Sequence, residues 1–318
     1  MKISFVTTVF NEEKTINKLL DSIKKQTVYP DEVIIVDGGS TDNTLSVISN
    51  FQFPISNKNV KIINKEGNRS VGRNEAIRNS KGEVIAVSDA GCVLDRSWIK
   101  NIKKPFENKG VDIVGGFYKP ITTSIFEKCL ATYTCTMPDR VNPKTFLPSS
   151  RSVAFRKEVW QKVRGYPEEL DTCEDLVFDK KLKNAGLKFA FAKSAIVYWP
   201  QRKNIFQAFG QFFNYATGDG RAFYIRPQTP VLFIRYLFGF ILIAVYILTK
   251  SNVLLSIIYY LLSVYIAWSI YKNYKYVKHL AAFIYLPLLQ LTSDIAVIFG
   301  TFLGLIQRLY SLNERSEK

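Results

Sequence analysis

A single histidine, His279, occurs among the 318 residues, together with only four cysteines. That histidine falls beside a long apolar segment, so a Ser-His-Asp or Cys-His mechanism in the polar N-terminal part is excluded. Cys92, Cys129, Cys135 and Cys173 form no C-x-x-C pair, which with so little histidine argues against zinc. They are expected as buried, reduced thiols. Neither G-x-x-x-x-G-K-[ST] nor G-x-G-x-x-G is present, so neither a P-loop ATPase nor a dinucleotide site is supported. The opening residues MKISFVTTVFNEE hold no apolar stretch long enough for a secretory signal. No internal repeat or low-complexity tract is visible. Any general base must therefore be a carboxylate, lysine, tyrosine or cysteine.

Acidic residues are scarce beside basic ones: 27 Asp and Glu against 43 Lys and Arg, a formal +16. Such a balance suits phosphate groups, lipid headgroups or nucleic acid. Most of the charge lies on the first 230 residues. A membrane surface accounts for it, so no nucleic-acid partner is expected.

The first 200 residues alternate β-rich runs with helical patterns. Ile3–Val9, Glu32–Val36, Val60–Asn64 and Val84–Ser88 read as strands. Glu12–Gln26 reads as a helix, with Ile16, Leu19, Leu20 and Ile23 at helical spacing. This alternation argues for a parallel sheet covered on both faces, whose ligands collect at the carboxyl ends of the strands. Asp37 and Asp89 both fall at that edge.

The last third is different. Val231–Thr249 is apolar apart from Arg235, which is expected to snorkel. Val253–Tyr271 carries no charge, and Leu280–Ile306 carries only Asp294 and contains Pro287. Each is about long enough to cross a bilayer core of roughly 30 Å; the alternative is a buried helical bundle. Lys272, Lys275 and Lys278 in the loop Lys272–His279 place that loop, and hence the N-terminal domain, in the cytoplasm. The C-terminus then emerges on the far side, unless the third segment is kinked or re-entrant. Between the halves, NIFQAFGQFFNYATGDGRAFY reads either as a core-packing helix or as one lying in the headgroup plane, the second being favoured. The expected organisation is a catalytic domain over 1–202, an amphipathic interfacial helix and linker over 203–230, about three transmembrane helices over 231–309, and a tail over 310–318.

The stretches TTVFNEE, VIIVDGGSTDNT, SVGRNEAIRNSKGEVIAVSDAGC and TCEDLVFDKKLKNAG, in this order, closely resemble glycosyltransferase family 2. The resemblance covers roughly Lys2 to Trp199. It implies an α/β GT-A domain with a Rossmann-like mixed sheet, followed here by the transmembrane helices. YATGDGRA looks like a segment of membrane-attached members that build exopolysaccharide or lipid-linked glycans.

From the resemblance follow the site residues. Thr8, Glu12, Asp37, Arg73 and Asp89 would bind the nucleotide-sugar, with Arg73 near its phosphates. Asp89 stands first in the family's Asp-x-Asp motif and would hold Mg²⁺ or Mn²⁺ against the diphosphate. Asp175 matches the catalytic base, and Glu174 and Arg151 would line the acceptor side. Two positions depart from the family pattern. Gly38 stands where a second carboxylate often follows Asp37, and Gly91 where Asp-x-Asp ends. Mg²⁺ tolerates one carboxylate with waters and phosphates, whereas Cys92 is a poor substitute ligand.

The resemblance thus implies an inverting enzyme of the cell membrane, multi-pass, with its catalytic domain cytoplasmic. It would carry sugar from a UDP- or GDP-sugar to a hydroxyl of a polyprenyl-linked or other glycan among the membrane lipids. Three alternatives are a polyprenyl-phosphate sugar synthase on the same fold, a processive polysaccharide synthase, and a non-catalytic nucleotide-sugar-binding scaffold. The second lacks its expected Q-x-x-R-W stretch; Gly38 and Gly91 speak for the third, and intact Asp89, Asp175 and Arg73 against it. For Asp89 and the Glu174–Asp175 pair the plainer readings are turn and helix-start residues.

Overall fold

A computed structural model describes residues 1–56 and 59–316. The chain divides into two compact units. The first takes Met1–Ile121 and Met137–Pro200; the second takes Thr122–Thr136 and the chain from Gln201 onward.

In the first unit, β1 (Ile3–Val9), α1 (Ile16–Lys24), β2 (Glu32–Asp37), α2 (Thr44–Ser49), β3 (Val60–Asn64), α3 (Arg69–Arg78) and β4 (Val84–Val87) alternate as the sequence pattern requires. Then follow β5 (Val93–Leu94), α4 (Trp98–Lys103), β6 (Ile113–Ile121), β7 (Val153–Arg156), α6 (Lys157–Lys162), α7 (Glu174–Asn184) and β8 (Phe189–Pro200). One sheet holds all eight strands, in the order β3-β2-β1-β4-β7-β6-β8-β5. β3, β2, β1 and β4 run parallel. β7 lies antiparallel between β4 and β6, and β8 runs parallel to β6. The sheet is therefore mixed, as the family resemblance implies, and the purely parallel reading holds for its first half.

The period-2 alternation of β-strands decides which side chain enters which core layer. Phe5, Val33, Ile35, Val84 and Ala86 pack with α1 and Trp98 on one face. Val6, Ile34, Val36, Ile85 and Val87 pack with Ala76 and Ile77 of α3 and Phe178 and Leu182 of α7 on the other. Because β2 and β4 flank β1 on opposite sides, the chain reverses direction across the sheet at β1, which opens a crevice at the strand ends there.

The second unit joins α5 (Ile125–Thr134) to α8 (Ile205–Arg221), α9 (Gln228–Thr249), α10 (Asn252–Val277) and α11 (Ala282–Ser316). Its core is Cys129 and Leu130 of α5, Ala208 and Phe212 of α8, and Leu286, Leu289 and Ala296 of α11. Among the described residues three helices are long and apolar enough to cross a membrane: α9, α10 and the Ala282–Ser311 part of α11. All four cysteines are thiols outside disulfides, with Cys173 half-buried and the others buried.

Three details differ from the expectations. α10 continues to Val277, so Lys272 and Lys275 lie on a helix and not in a loop. Lys272 Nζ donates to Gln290 Oε1 at 2.6 Å and sits 4.4 Å from the Trp268 ring centroid. Arg235 pairs within the protein: its guanidinium donates to Asp294, which also accepts from Tyr236 Oη at 3.2 Å, Tyr265 Oη at 2.8 Å and Gln290 Nε2 at 2.8 Å. An unpaired carboxylate among apolar helices is costly, so the available cation is drawn to it. Finally, α11 runs through Pro287 as one helix, which excludes a re-entrant pair.

Candidate active site

The residues singled out by sequence gather at the carboxyl ends of β1, β2 and β4, though they do different things there. Asp37 is wholly buried. Its Oδ2 accepts from the Gly39 and Ser40 amides at 3.0 and 2.9 Å, and its Oδ1 from Ser40 Oγ at 2.5 Å. It thus shapes the loop after β2. Asn11 ties that loop to the one after β1: its amide donates to Ser40 Oγ at 2.9 Å, and its Oδ1 accepts from the Thr41 amide at 2.9 Å. Glu12 donates its amide to Thr44 Oγ1 at 2.7 Å, and its carboxylate accepts from Thr15 Oγ1 at the start of α1. Thr8 is half-buried beside Gly72, where a Cβ would stand 2.6 Å from Thr8 Cγ2. Together these residues form a stiff, hydrogen-bonded cradle.

Beyond β4 the charges concentrate. Arg73, on α3, is 2% exposed and bridges two acids: Nη2 to Asp89 Oδ1 and Nη1 to Glu174 Oε1, both at 2.7 Å. Its guanidinium also lies 5.4 Å from the Tyr166 ring centroid. A rigid fork suits two partners at fixed separation; a lysine does not. β7 runs antiparallel to β4, so the residues just before it arrive at the same edge. Arg151 there rests 3.9 Å from the Trp199 ring centroid, with Nε 4.0 Å from Asp89 Oδ2. Its Nη1 donates to Ser149 Oγ at 3.0 Å, and Ser149 Oγ donates to Asp175 Oδ2 at 3.2 Å. Asp175 Oδ1 accepts from the Leu176 amide at 2.8 Å. Two arginines therefore connect Asp89 to the acids that begin α7, one through Glu174 and one through Ser149 and Asp175.

The electrostatics follow. Burial alone would raise the Asp89 pKa, yet Arg73, Arg151 and Arg69 hold it below the usual carboxylate value. Burial, opposed by Arg73 and aided by neighbouring Asp175, raises that of Glu174. Burial, with Asp175 nearby, pushes Asp179 well up. The result is one open, ionised carboxylate beside cations, with Asp89 29% exposed and Glu174 turned inward at 6%. Glu174, expected on the acceptor side, thus faces Arg73.

The donor set for a divalent cation is thin. Asp89 is committed to Arg73 through one oxygen, Gly91 offers none, and burial pushes the Cys92 thiol up, away from thiolate. No group of three metal-ligating side chains occurs among the described residues. The set fits a hard cation completed by phosphate oxygens and water, and not one held by protein alone. The two departures from the family pattern also separate. A Cβ at Gly38 would stand 3.0 Å from the Gly67 carbonyl oxygen, so a side chain there crowds backbone; one at Gly91 meets nothing within 4 Å.

Sequence reasoning missed Ser149, Trp199, Tyr166 and Asn74. Asn74 pins the loop before α7: its Nδ2 donates to the Tyr166 carbonyl at 2.9 Å, and its Oδ1 accepts from Trp160 Nε1 at 3.0 Å. It stands in the quoted GRN stretch, the one signal that could have found it. Ser152, in contrast, is core: it accepts from Trp98 Nε1 at 2.9 Å and donates to the Ala195 carbonyl at 3.2 Å. A shallow cavity of about 500 Å³ lined by Asn74, Arg78, Trp160, Arg164 and Glu168 holds none of the linked acids.

Comparison with known proteins bears on this geometry. The family model "Glycosyl transferase family 2" matches residues 4–163. The chain is 27% identical over 206 residues to the glycosyltransferase AglE of Haloferax volcanii, covering 63% of this chain and 67% of that protein. It is 27% identical over 212 residues to the O-antigen chain rhamnosyltransferase RfbN of Salmonella typhimurium, covering 62% and 66%. It thus spans about two thirds of these curated relatives. Among solved structures, a mannosyltransferase of Pyrobaculum calidifontis in complex with GDP-Man and Mn²⁺ shares its fold, with TM-score 0.61 and 18% identity, over 92% of this chain and 86% of the other.

Proposed function

This chain belongs to glycosyl transferase family 2 and is a glycosyltransferase; on that premise we propose that it is a membrane-anchored, inverting enzyme using a UDP- or GDP-sugar. Its acceptor is a hydroxyl of a polyprenyl-linked or other lipid-linked glycan at the cytoplasmic face of the cell membrane. The observation that carries this reading is the double link from Asp89 to the start of α7, through Arg73–Glu174 and Arg151–Ser149–Asp175.

In this reading Asp175 is the base. The acceptor oxygen attacks C1 of the sugar while Asp175 takes its proton. The bond from C1 to the diphosphate oxygen breaks on the opposite face, and the diphosphate leaves with the electron pair. Arg151 and Arg69 lie beside Asp89, where that charge develops. Thr8, Glu12, Asp37 and Arg73 serve the donor side, Arg73 by fixing Asp89, and Glu174 by fixing Arg73 rather than by touching acceptor. Arg151 serves the acceptor side as well, through Ser149. Asp89 would hold Mg²⁺ or Mn²⁺ brought in with the diphosphate, and the cation would neutralise the leaving group. A phosphate acceptor is already nucleophilic, so an acid seated like Asp175 favours a hydroxyl acceptor over the polyprenyl-phosphate alternative.

The test uses membranes containing the full chain, radiolabelled UDP- and GDP-sugars, and lipid extract of the host. Label passing into an organic-extractable product, from which mild acid releases an oligosaccharide, is expected. Release of a monosaccharide would favour the polyprenyl-phosphate sugar synthase. Nucleotide-sugar binding without transfer from any donor would favour the scaffold.

A further inference from the structure

We infer that α11, though long and apolar enough to span a bilayer, lies in the plane of the membrane surface and that the α9–α10 hairpin alone crosses. Only the side of that surface, the cytoplasmic one, rests on the proposed function. The first observation is burial. In the most apolar stretches of α9 and α10, 6% of residues are buried within the protein, against 33% in α11. α11 is not surrounded as the other two are.

The second observation is what covers it. α5 packs on its first half: Tyr133 Oη donates to the Leu286 carbonyl at 2.9 Å, and the Phe126 and Tyr285 rings lie 5.6 Å apart. α8 packs on its second half through small residues. A Cβ at Gly300 would stand 2.6 Å from the Phe213 carbonyl, and one at Gly304 2.2 Å from the Thr217 carbonyl. The four-residue step from Gly300 to Gly304 matches an advance from Phe213 to Thr217, so α8 and α11 run parallel. Small residues four apart on both helices allow this close approach.

Parity then decides. α5 has 10 residues and both its ends return to the first unit, so it stays on that unit's side. α8, with 17 residues, is about 26 Å long and carries exposed Gln207 and Asn214. If α8 and α11 both crossed, α9 and α10 between them would force opposite directions, yet the two are parallel. If α8 stays at the surface while α11 crosses, the contacts at Gly300 and Gly304 are impossible. An in-plane α11 satisfies both constraints. It also agrees with Lys128 of α5, whose Nζ donates to the Val277 carbonyl at 3.1 Å and so fixes the end of α10 on the side of α5.

The third observation names the partner. At 100° per residue, Leu286, Leu289, Ala296, Gly300 and Gly304 share the covered face. Ile284, Leu288, Leu291, Phe299, Phe302 and Ile306 share the opposite one, and all six are exposed. An apolar stripe of this length, attached to a membrane hairpin, fits the boundary between headgroups and acyl chains.

The experiment places single cysteines in the full chain at His279, Tyr310 and Ser251 and labels intact and permeabilised cells with an impermeant maleimide, the unsubstituted chain serving as blank. Positions 279 and 310 should label from the same side and 251 from the other; 279 and 310 on opposite sides would overturn the inference. If 251 is protected in intact cells while 279 and 310 are labelled, the cytoplasmic assignment fails and the in-plane helix stands. Spin labels at Ile284, Leu291, Phe299 and Ile306 give a second reading. Their bilayer depths should agree to within about one helical turn, whereas a crossing helix would spread them over about 33 Å.

Discussion

Each of the two units pairs an arginine with an aspartate, and the two pairs are the inverse of each other: Arg73 is 2% exposed and its Asp89 29%, whereas Arg235 is 36% exposed and its Asp294 6%. Around Arg73, one guanidinium serves two carboxylates, and one of them, Asp89, stays 29% exposed at the strand edge. Around Asp294, one carboxylate is met by Arg235, two tyrosines and a glutamine, and is 6% exposed. In the first cluster Arg151 and Arg69 stand beside the part-exposed Asp89; in the second both oxygens of Asp294 are already engaged. Those contacts to Asp294 join α9, α10 and α11. The cluster whose carboxylate is open, with cations beside it, is the one suited to a substrate and its counter-ions.

The comparison can be broken by removing one cation from each unit. Arg73→Met strands two carboxylates, and a loss of about 3–5 kcal/mol is expected, read as thermal unfolding of the full chain in detergent together with loss of nucleotide-sugar binding. The double variant Arg235→Met, Asp294→Leu removes both charges but leaves Tyr236, Tyr265 and Gln290 without their acceptor, so a smaller loss of about 1–3 kcal/mol with unchanged nucleotide-sugar binding is expected. Equal damage from the two would mean that the clusters are alike.

The two glycines that depart from the family pattern sharpen the comparison within the first unit. Gly38→Asp should destabilise by about 1–3 kcal/mol, because a Cβ there meets a backbone oxygen at 3.0 Å. Gly91→Asp should leave stability within about 0.5 kcal/mol of the parent and tighten Mn²⁺ binding, measured by electron paramagnetic resonance with nucleoside diphosphate present. Unchanged Mn²⁺ affinity would remove Asp89 from the metal site.

The smallest effect concerns Asp179, buried with no hydrogen-bond partner for Oδ2 among the described residues. Its folded pKa is raised, so its contribution to stability is fully present below the unfolded value and is lost as pH rises through the folded one. Asp179→Asn should remove that decline and gain about 1 kcal/mol at neutral pH. Melting curves at pH 5 and pH 8 check it; an unchanged slope would mean that Asp179 finds a compensating partner.

How much of this was legible in the sequence follows the same division. Ile3–Val9 and Val60–Asn64 emerge with the bounds read from pattern: the first is buried along nearly its whole length, whereas the second is a half-exposed edge strand legible from its β-branched residues. Asp89 was legible by its place after β4. The second link was not: Ser149 joins Arg151 to Asp175 only because β7 turns antiparallel beside β4, and nothing local announces that. Glu174 was legible as an acid at a helix start, yet its direction is set by Arg73, 101 residues earlier. In the second unit apolar length was plain, but the Arg235–Asp294 pair joins residues 59 apart. α5, embedded in the catalytic stretch of sequence, belongs with the C-terminal helices. Periodicity reports which face is apolar and not what covers it.

The central claim is that Asp175 takes the acceptor's proton while the Arg73-centred cluster binds donor. Donor binding and transfer should therefore separate in Asp175→Asn. With the donor identified above, titration calorimetry on the purified full chain should give an affinity within about threefold of the parent, because the amide keeps the contact to Ser149. Transfer should fall by about 10²–10⁴-fold. Transfer near the parental rate, or loss of binding together with transfer, would contradict the account.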